Sequence, residues 1–254
     1  MNGRLIFLRI ALFFFTFSLI FFGVRLFHIF PPVIAMQGNN PLPWLFSATG
    51  LMFSIISGFV IQSKWNTWNE LIDATHGELS AIRQLHILSR HFSQKVQKEV
   101  KQKICAYLAL ILEESKYSTN LSRRSEQVDL AIFSLEETVF NIDYSQYPNI
   151  GSMAFDLVRK IMDFREKRLQ NAQHKLPLGV KLFMIVTTYA TVFTSLFIGE
   201  TTLFYDYIFT SIIALLSFGI YMLIDDLDHP YSPGQWHLSA KDYKKLLDEV
   251  QADS

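Results

Sequence analysis

Apolar residues in this chain are gathered into four blocks, with most of the charge lying between them. That segregation constrains the fold more than any motif does. A helix needs about 20 predominantly apolar residues to cross the hydrocarbon core of a bilayer. Leu5 to Phe30, Pro43 to Ser63, Pro177 to Gly199 and Tyr207 to Ile224 are four stretches of that kind. Lipid offers no partner to an open backbone group, so spans are helices or closed barrels. Nowhere does the sequence alternate apolar and polar residues as a strand would. The predicted fold is therefore an all-α membrane protein with four transmembrane helices.

The first block shares features with a secretory signal peptide. Its apolar run is long, however, no small-residue cleavage site follows, and Arg25 to Pro32 makes a poor processing region. It reads as a retained signal-anchor. Arg9, Arg25 and Lys181 lie near the ends of their blocks, where long side chains are expected to snorkel to the headgroups. Orientation follows from the basic flanks. Arg4 and Arg9, Lys64, Arg165 to Lys175, and Lys241 to Lys245 fall on one side, while Pro31 to Pro43 and Gly199 to Asp206 carry no lysine or arginine. Both termini are thus expected in the cytoplasm, a parity that four spans satisfy.

The predicted domains are residues 1–63 (spans one and two), 64–176 (a helical cytoplasmic insert), 177–226 (a hairpin of spans three and four) and 227–254 (a cytoplasmic tail and helix). Within the insert, Val96, Val100, Ile104, Leu108 and Ile111 keep the three-to-four spacing of one helical face. Val128, Ile132, Leu135 and Val139 repeat it, as do Leu157, Ile161 and Phe164. Ser93 stands at a predicted N-cap, and Ser239 to Asp242 reads as a capping box. Trp65 to His91 contains no breaker but Gly77, so span two is expected to continue as helix beyond the membrane. Zero formal net charge gives no basic face for nucleic acid. The single cysteine, Cys105, cannot form an internal disulfide and reads as a helix-face thiol.

Enzyme signatures are absent: no phosphate loop, no nucleophile elbow and no zinc-helix motif occurs. His76, His86, His91 and Glu78 read as solvated or packed residues. Two polar stripes inside the apolar blocks are more informative. Ser47, Gly50, Ser54, Ser57 and Gly58 fall on one side of span two. Small residues there permit close helix packing. They would also suit a pore wall, with Phe46 and Phe53 as an apolar constriction. In span three, Thr187, Thr191, Thr194 and Ser195 form a second stripe, suited to hydroxyls bonding back to their own helix. After span four come Asp225, Asp226 and Asp228, where a helix terminus already carries partial negative charge. They are expected either to be hydrated and paired with bases such as Arg165, Lys167, Arg168 and Lys175, or to bind a divalent cation such as calcium.

Five motifs occur together over Gly58 to Gly234: "GFVIQSKW" at Gly58 to Trp65, "THGEL" with Glu78, "AYLALILEES" around Tyr107 and Glu114, "REKRLQNAQHKLP" from Arg165, and "LDHPYSPG" after span four. In this order they resemble the bestrophin-like family of bacterial membrane proteins, which is distantly similar to bestrophin ion channels. Pro230-Tyr231 stands where members usually have Pro-Phe, and the tryptophan common after the Tyr107 segment is missing. The resemblance implies a homo-oligomeric channel of the bacterial inner membrane, pentameric as in true bestrophins, conducting inorganic ions and surrounded by lipid. It also implies a pore lined by span two, coupling through "IDDLDHP", and an acidic tail that in animal members helps bind calcium. The alternative is a non-conducting scaffold or sensor whose helical insert binds a partner.

Overall fold

The structure is a computed structural model describing residues 3–27, 33–34, 41–115, 124–144, 148–199, 202–232 and 236–253. Its elements in chain order are α1 (Gly3–Leu26), β1 (Val33–Ile34), α2 (Leu42–Ser89), α3 (Gln94–Ser115), α4 (Glu126–Phe140), α5 (Pro148–Gln173), α6 (Leu178–Phe197), β2 (Ile198–Gly199), α7 (Leu203–Asp228) and α8 (Lys241–Ala252). Four of the helices, α1, α2, α6 and α7, are long and apolar enough to cross a membrane. No strand is expected from the sequence, yet β1 and β2 form a two-residue parallel pair. Pairing so short leaves no periodicity to read.

The chain divides into two compact units, Met1–Trp65 with Leu176–Asp228, and Asn66–Lys175 with His229–Ser254. The first holds the apolar helices. Its hairpin of α6 and α7 packs along its length, and α1 lies against α7. Phe17, Phe21, Leu196 and Ala214 form one small core, while Phe53, Val60, Met184 and Ile224 form another. Much of the remaining apolar surface is bare, as in Phe15, Leu19, Phe59, Leu182 and Leu216. A soluble unit would hide such residues, whereas lipid solvates them. Arg25 does not snorkel. Its Nε donates to Asp206 Oδ2 at 2.7 Å, both side chains being buried, and its guanidinium lies 5.4 Å from the Phe21 ring centroid.

The second unit, the helical lobe, has a continuous core. The predicted faces supply it: Val100, Ile104, Leu108 and Ile111 from α3, Val128, Ile132, Leu135 and Val139 from α4, and Leu157 and Ile161 from α5. From α2 come Leu71, Leu79, Ile82 and Leu85, so span two does continue as one helix to Ser89. The first turn of α3 follows Ser93, whose carbonyl accepts the Gln97 N–H at 2.9 Å. The capping box at Ser239 does not form. Ala240 occupies the N-cap of α8 without a side-chain cap, and Ser239 Oγ reaches only the Lys241 N–H, at 3.4 Å. Tyr243, Leu246 and Val250 still bury the apolar face of α8, because packing outweighs a missing cap. Cys105 is half-buried. Burial pushes its thiol up against the opposing charge of Lys101, so it is not a poised thiolate.

Candidate functional site

The membrane part of α2 presents two flanks. Phe53 and Ser57 are 5% and 2% exposed. Phe53 belongs to the core with Met184 and Ile224, and Ser57 Oγ meets Met184 Sδ at 3.9 Å. The chain's own α6 and α7 therefore enclose these two residues of the predicted pore lining. The other flank is open. Ser47 and Ser54 are exposed, while Phe46 and Gly50 are half-buried. A Cβ built on Gly50 or Gly58 would meet nothing within 4 Å. Close packing within the chain is thus not what these two glycines serve. Ser47 and Ser54 hydroxyls donate to the carbonyls of Pro43 (2.9 Å) and Gly50 (2.8 Å), one helical turn back. Such bonds let a hydroxyl sit on an apolar helix without an orphaned donor. The stripe of α6 behaves likewise: Thr187, Thr191, Thr194 and Ser195 all bond to carbonyls of their own helix.

At the far end of α7 the three aspartates are still helical. They occupy its last turn, which the helix dipole would oppose without compensation. Asp228 receives that compensation. Its Oδ1 accepts from Lys64 Nζ at 2.7 Å and from the Leu176 N–H at 2.8 Å, and its Oδ2 lies 2.5 Å from Lys181 Nζ. Lys64 and Asp228 are both nearly sealed from solvent, while the Lys181 side chain keeps 35% exposure. Lys181 is therefore anchored by a carboxylate rather than by headgroups alone. Two of the four bases expected to serve the aspartates are engaged elsewhere: Arg165 pairs with Asp129 and Arg168 with Glu78. Asp225 is exposed and lines a cavity of about 50 Å³ beside Lys181, and Asp226 is half-buried.

Those contacts test the predicted cation site. Calcium takes six to eight oxygen ligands, whereas the Asp228 carboxylate is already shared by two ammonium groups and an amide. Among the described residues, no three His, Cys, Asp or Glu side chains are grouped to hold a metal ion. The donor set present at Asp228 does not fit a divalent cation.

The lobe contains a second buried charge centre that the reading of single residues missed. Glu78, on α2, is fully buried. Its Oε2 accepts from Arg168 Nε at 2.8 Å and from the Tyr243 hydroxyl at 3.0 Å, and its Oε1 accepts from the Tyr107 hydroxyl at 2.6 Å. Arg168, Tyr107, Tyr231 and Tyr243 are each at most 5% exposed, and the Arg168 guanidinium lies 5.8 Å from the Tyr243 ring centroid. Burial first, and then the Glu78 charge, hold the Tyr107 phenol well above its ordinary range, so it stays a donor. Burial alone would lower Arg168, but the Glu78 carboxylate and the surrounding phenols raise it well above its usual value. On α2 the residue before Glu78 is Gly77, and a Cβ there would come within 2.5 Å of the Phe164 ring. That position accepts only glycine while Phe164 keeps its place.

Four of the five motifs thus converge in the lobe through Glu78, Tyr107, Arg168 and Tyr231. In the other unit "GFVIQSKW" and "LDHPYSPG" meet through Lys64 and Asp228. Pro233 and Gly234 of that last motif lie outside the described residues. The usable signal was that lone charged or phenolic residues recurred in motifs far apart in sequence.

Comparison with known proteins gives the same direction. The sequence profile of the bestrophin-like domain matches residues 12–234. No curated relative matches the chain in sequence. Among solved structures, a membrane protein crystallised as a point variant superposes with a TM-score of 0.76 at 13% identity, over 97% of each chain. A bacterial bestrophin homologue from Klebsiella pneumoniae gives a TM-score of 0.76 at 13% identity, covering 97% of this chain and 98% of that one. Another point variant of that homologue gives 0.74 at 13% identity over the same shares. At these identities the likeness is one of fold.

Proposed function

Because this chain belongs to the bestrophin-like family, we propose that it forms a homo-oligomeric ion channel of the bacterial inner membrane with α2 facing the pore. The observation that carries this reading is the open flank of α2. Small and hydroxyl-bearing side chains at Ser47, Gly50 and Ser54 face away from the protomer's own packing. Hydroxyl oxygens on such a flank weakly replace part of an ion's hydration shell, while the Phe46 ring supplies an apolar constriction. Phe53 and Ser57 back the wall from the α6–α7 side. In this reading the lobe and both termini are cytoplasmic, and lipid surrounds α1, α6 and α7. Five subunits is the number that the family resemblance favours. Asp228 acts as the ion-pair centre fastening α2 to the α6–α7 hairpin, with no calcium bound there.

The test is ion flux through the purified protein in liposomes, run beside Ser54→Trp. Flux in the parent that falls at least tenfold in the variant supports a pore along α2. Silence across several salts and voltages rejects the channel, and undiminished flux in the variant moves the pore elsewhere. A second reading rests on α4, which exposes Leu130, Phe133 and Phe140, the last at 71%. Apolar surface on a water-facing lobe marks an interaction site, so a non-conducting scaffold that binds a partner there is the alternative. Leu130→Asp with Phe133→Asp would then abolish partner binding without touching any flux.

A further inference from the structure

Two different forces hold α8 to the lobe along its length. Its first turns are held by burial, with Tyr243, Leu246 and Val250 sunk in the lobe core. Beyond Val250 that hold ends: Gln251 and Ala252 are exposed, and the contacts become polar. Arg83, His86 and Arg90 are spaced by three and four along one face of α2, and with Lys101 of α3 they meet the end of α8. Arg83 donates to Glu249 Oε2 from Nε at 3.1 Å and from Nη2 at 2.9 Å. Arg90 and His86 share Asp253 Oδ2, with His86 Nε2 at 2.9 Å. Lys101 Nζ donates to the Asp253 carbonyl at 2.6 Å, where the helix terminus adds partial negative charge.

We infer that the end of α8 is a strap, held shut over His86 by charge, which opens as ionic strength rises. The pairs that hold it are within reach of salt: the Arg83, Glu249, Arg90 and Asp253 side chains are 38% to 50% exposed. Exposed ion pairs are individually weak, and salt screens them. What they cover is sealed. The His86 side chain is 6% exposed, and its Nδ1 is buried with no hydrogen-bond partner among the described residues. Asp253 is thus the group that engages the imidazole. The burial of Tyr243, Leu246 and Val250 involves no charge, so screening leaves it in place and the chain pivots near Val250. Salt around the lobe thereby covers or uncovers a histidine of α2.

The experiment is diethyl pyrocarbonate labelling of the full chain in detergent at fixed neutral pH, read histidine by histidine by mass spectrometry. It compares about 0.05 M with about 0.5 M sodium chloride, which shortens the screening length from roughly 14 Å to roughly 4 Å. His76, exposed on the same helix, is the internal reference. In low salt His86 should label at least tenfold more slowly than His76. In high salt its rate relative to His76 should rise at least threefold, whereas sucrose of equal osmolality should leave it unchanged. Asp253→Asn and Arg90→Gln should each speed His86 labelling in low salt and flatten its response to salt. If either variant fails to fold, the salt series on the unaltered chain decides. A His86 that is equally shielded at both salt levels, or that responds equally to sucrose, overturns the strap. So does an Asp253→Asn chain that labels as slowly as the parent, because apolar packing would then be the cover. Ion flux plays no part in this readout, so it stands or fails apart from the channel reading.

Discussion

Glu78 in the lobe and Asp228 in the apolar unit are carboxylates of nearly equal burial, 0% and 3% exposed, yet they are compensated differently. Glu78 meets one guanidinium and two phenols, all sealed. Asp228 meets two ammonium groups and a backbone amide, and one of the lysines is a third exposed. A guanidinium is planar and weakly hydrated, and tolerates a dry site. An ammonium is a compact, strongly hydrated charge, better placed where its stem is buried and its head reaches water or headgroups. The lobe centre is therefore closed and charge-balanced, with phenols supplying the remaining hydrogen bonds. The Asp228 centre is open on one side, where the Lys181 side chain is a third exposed. One behaves as a lock on the packing of α2, α3, α5 and α8, while the other is open to influence from its surroundings.

Breaking the lock should have the largest effect. Glu78→Ala strands a buried guanidinium, and Arg168→Ala strands a buried carboxylate. Each is expected to destabilise the protein by about 3–5 kcal/mol, the usual cost of removing one partner from a buried pair. The paired change Glu78→Gln with Arg168→Met should cost clearly less than either single change, because no charge is left alone. Denaturant unfolding in detergent, followed by tryptophan emission, measures all three. Equal losses for the single and double variants would mean that the centre is not closed.

The Asp228 centre should break asymmetrically. Lys64 is buried alongside Asp228, whereas Lys181 is partly solvated. Lys64→Met is expected to cost about 2–3 kcal/mol, below the usual cost of breaking a buried pair because Lys181 remains. Lys181→Met should cost about 1 kcal/mol or less after solvent screening. Matching losses would show that both lysines sit in the same medium and would remove the contrast with Glu78.

Glycines sharpen the comparison at smaller magnitude. A methyl on Gly77 collides with the Phe164 ring, whereas one on Gly50 meets open space. Gly77→Ala should therefore cost about 1–3 kcal/mol through overpacking, and Phe164→Leu in the same chain should recover part of it. Gly50→Ala should be neutral, or stabilising by up to about 1 kcal/mol, since alanine is the better helix former. A costly Gly50→Ala in the assembled oligomer would instead reveal a neighbouring copy seated against that flank.

Much of this architecture was legible because lipid and a packed lobe leave strong periodic marks. The four apolar blocks became α1, the first half of α2, α6 and α7, and the three predicted faces of the insert became its core. What escaped depended on contacts between distant residues. Nothing local to Glu78 says that Arg168 and Tyr243 will close over it, and nothing local to Asp228 says that Lys64 and Lys181 will compensate it at the helix end. The exposure of the small-residue stripe was only half legible. Small residues recur correctly along α2, but the direction in which α6 and α7 approach cannot be read from α2 alone. Phe53 and Ser57 therefore looked like their exposed neighbours. Asp253 shows the same limit, since its contacts with His86 and Arg90 span more than 160 positions.

The smallest predicted effect concerns a carboxylate of an intermediate kind, Asp129 on α4, held between Arg124 and Arg165. Burial pushes its carboxyl up, but hydrogen bonds from Arg124 and Arg165 outweigh burial and hold it below the usual carboxylate range. A carboxyl depressed in the folded state contributes its full stability above the unfolded value, near 3.9, and loses it as pH falls through the lower folded value. Asp129→Asn should thus destabilise the lobe at pH 7 by about 1 kcal/mol or less, the range for partly exposed pairs. The gap between parent and variant should narrow from pH 7 to pH 3, as the unfolded carboxyl and then the folded one take up a proton. Parallel thermal melts at the two pH values measure it. A gap that persists at low pH would mean that Asp129 acts through shape rather than charge, which would place it with the sealed lobe centre instead of the open one.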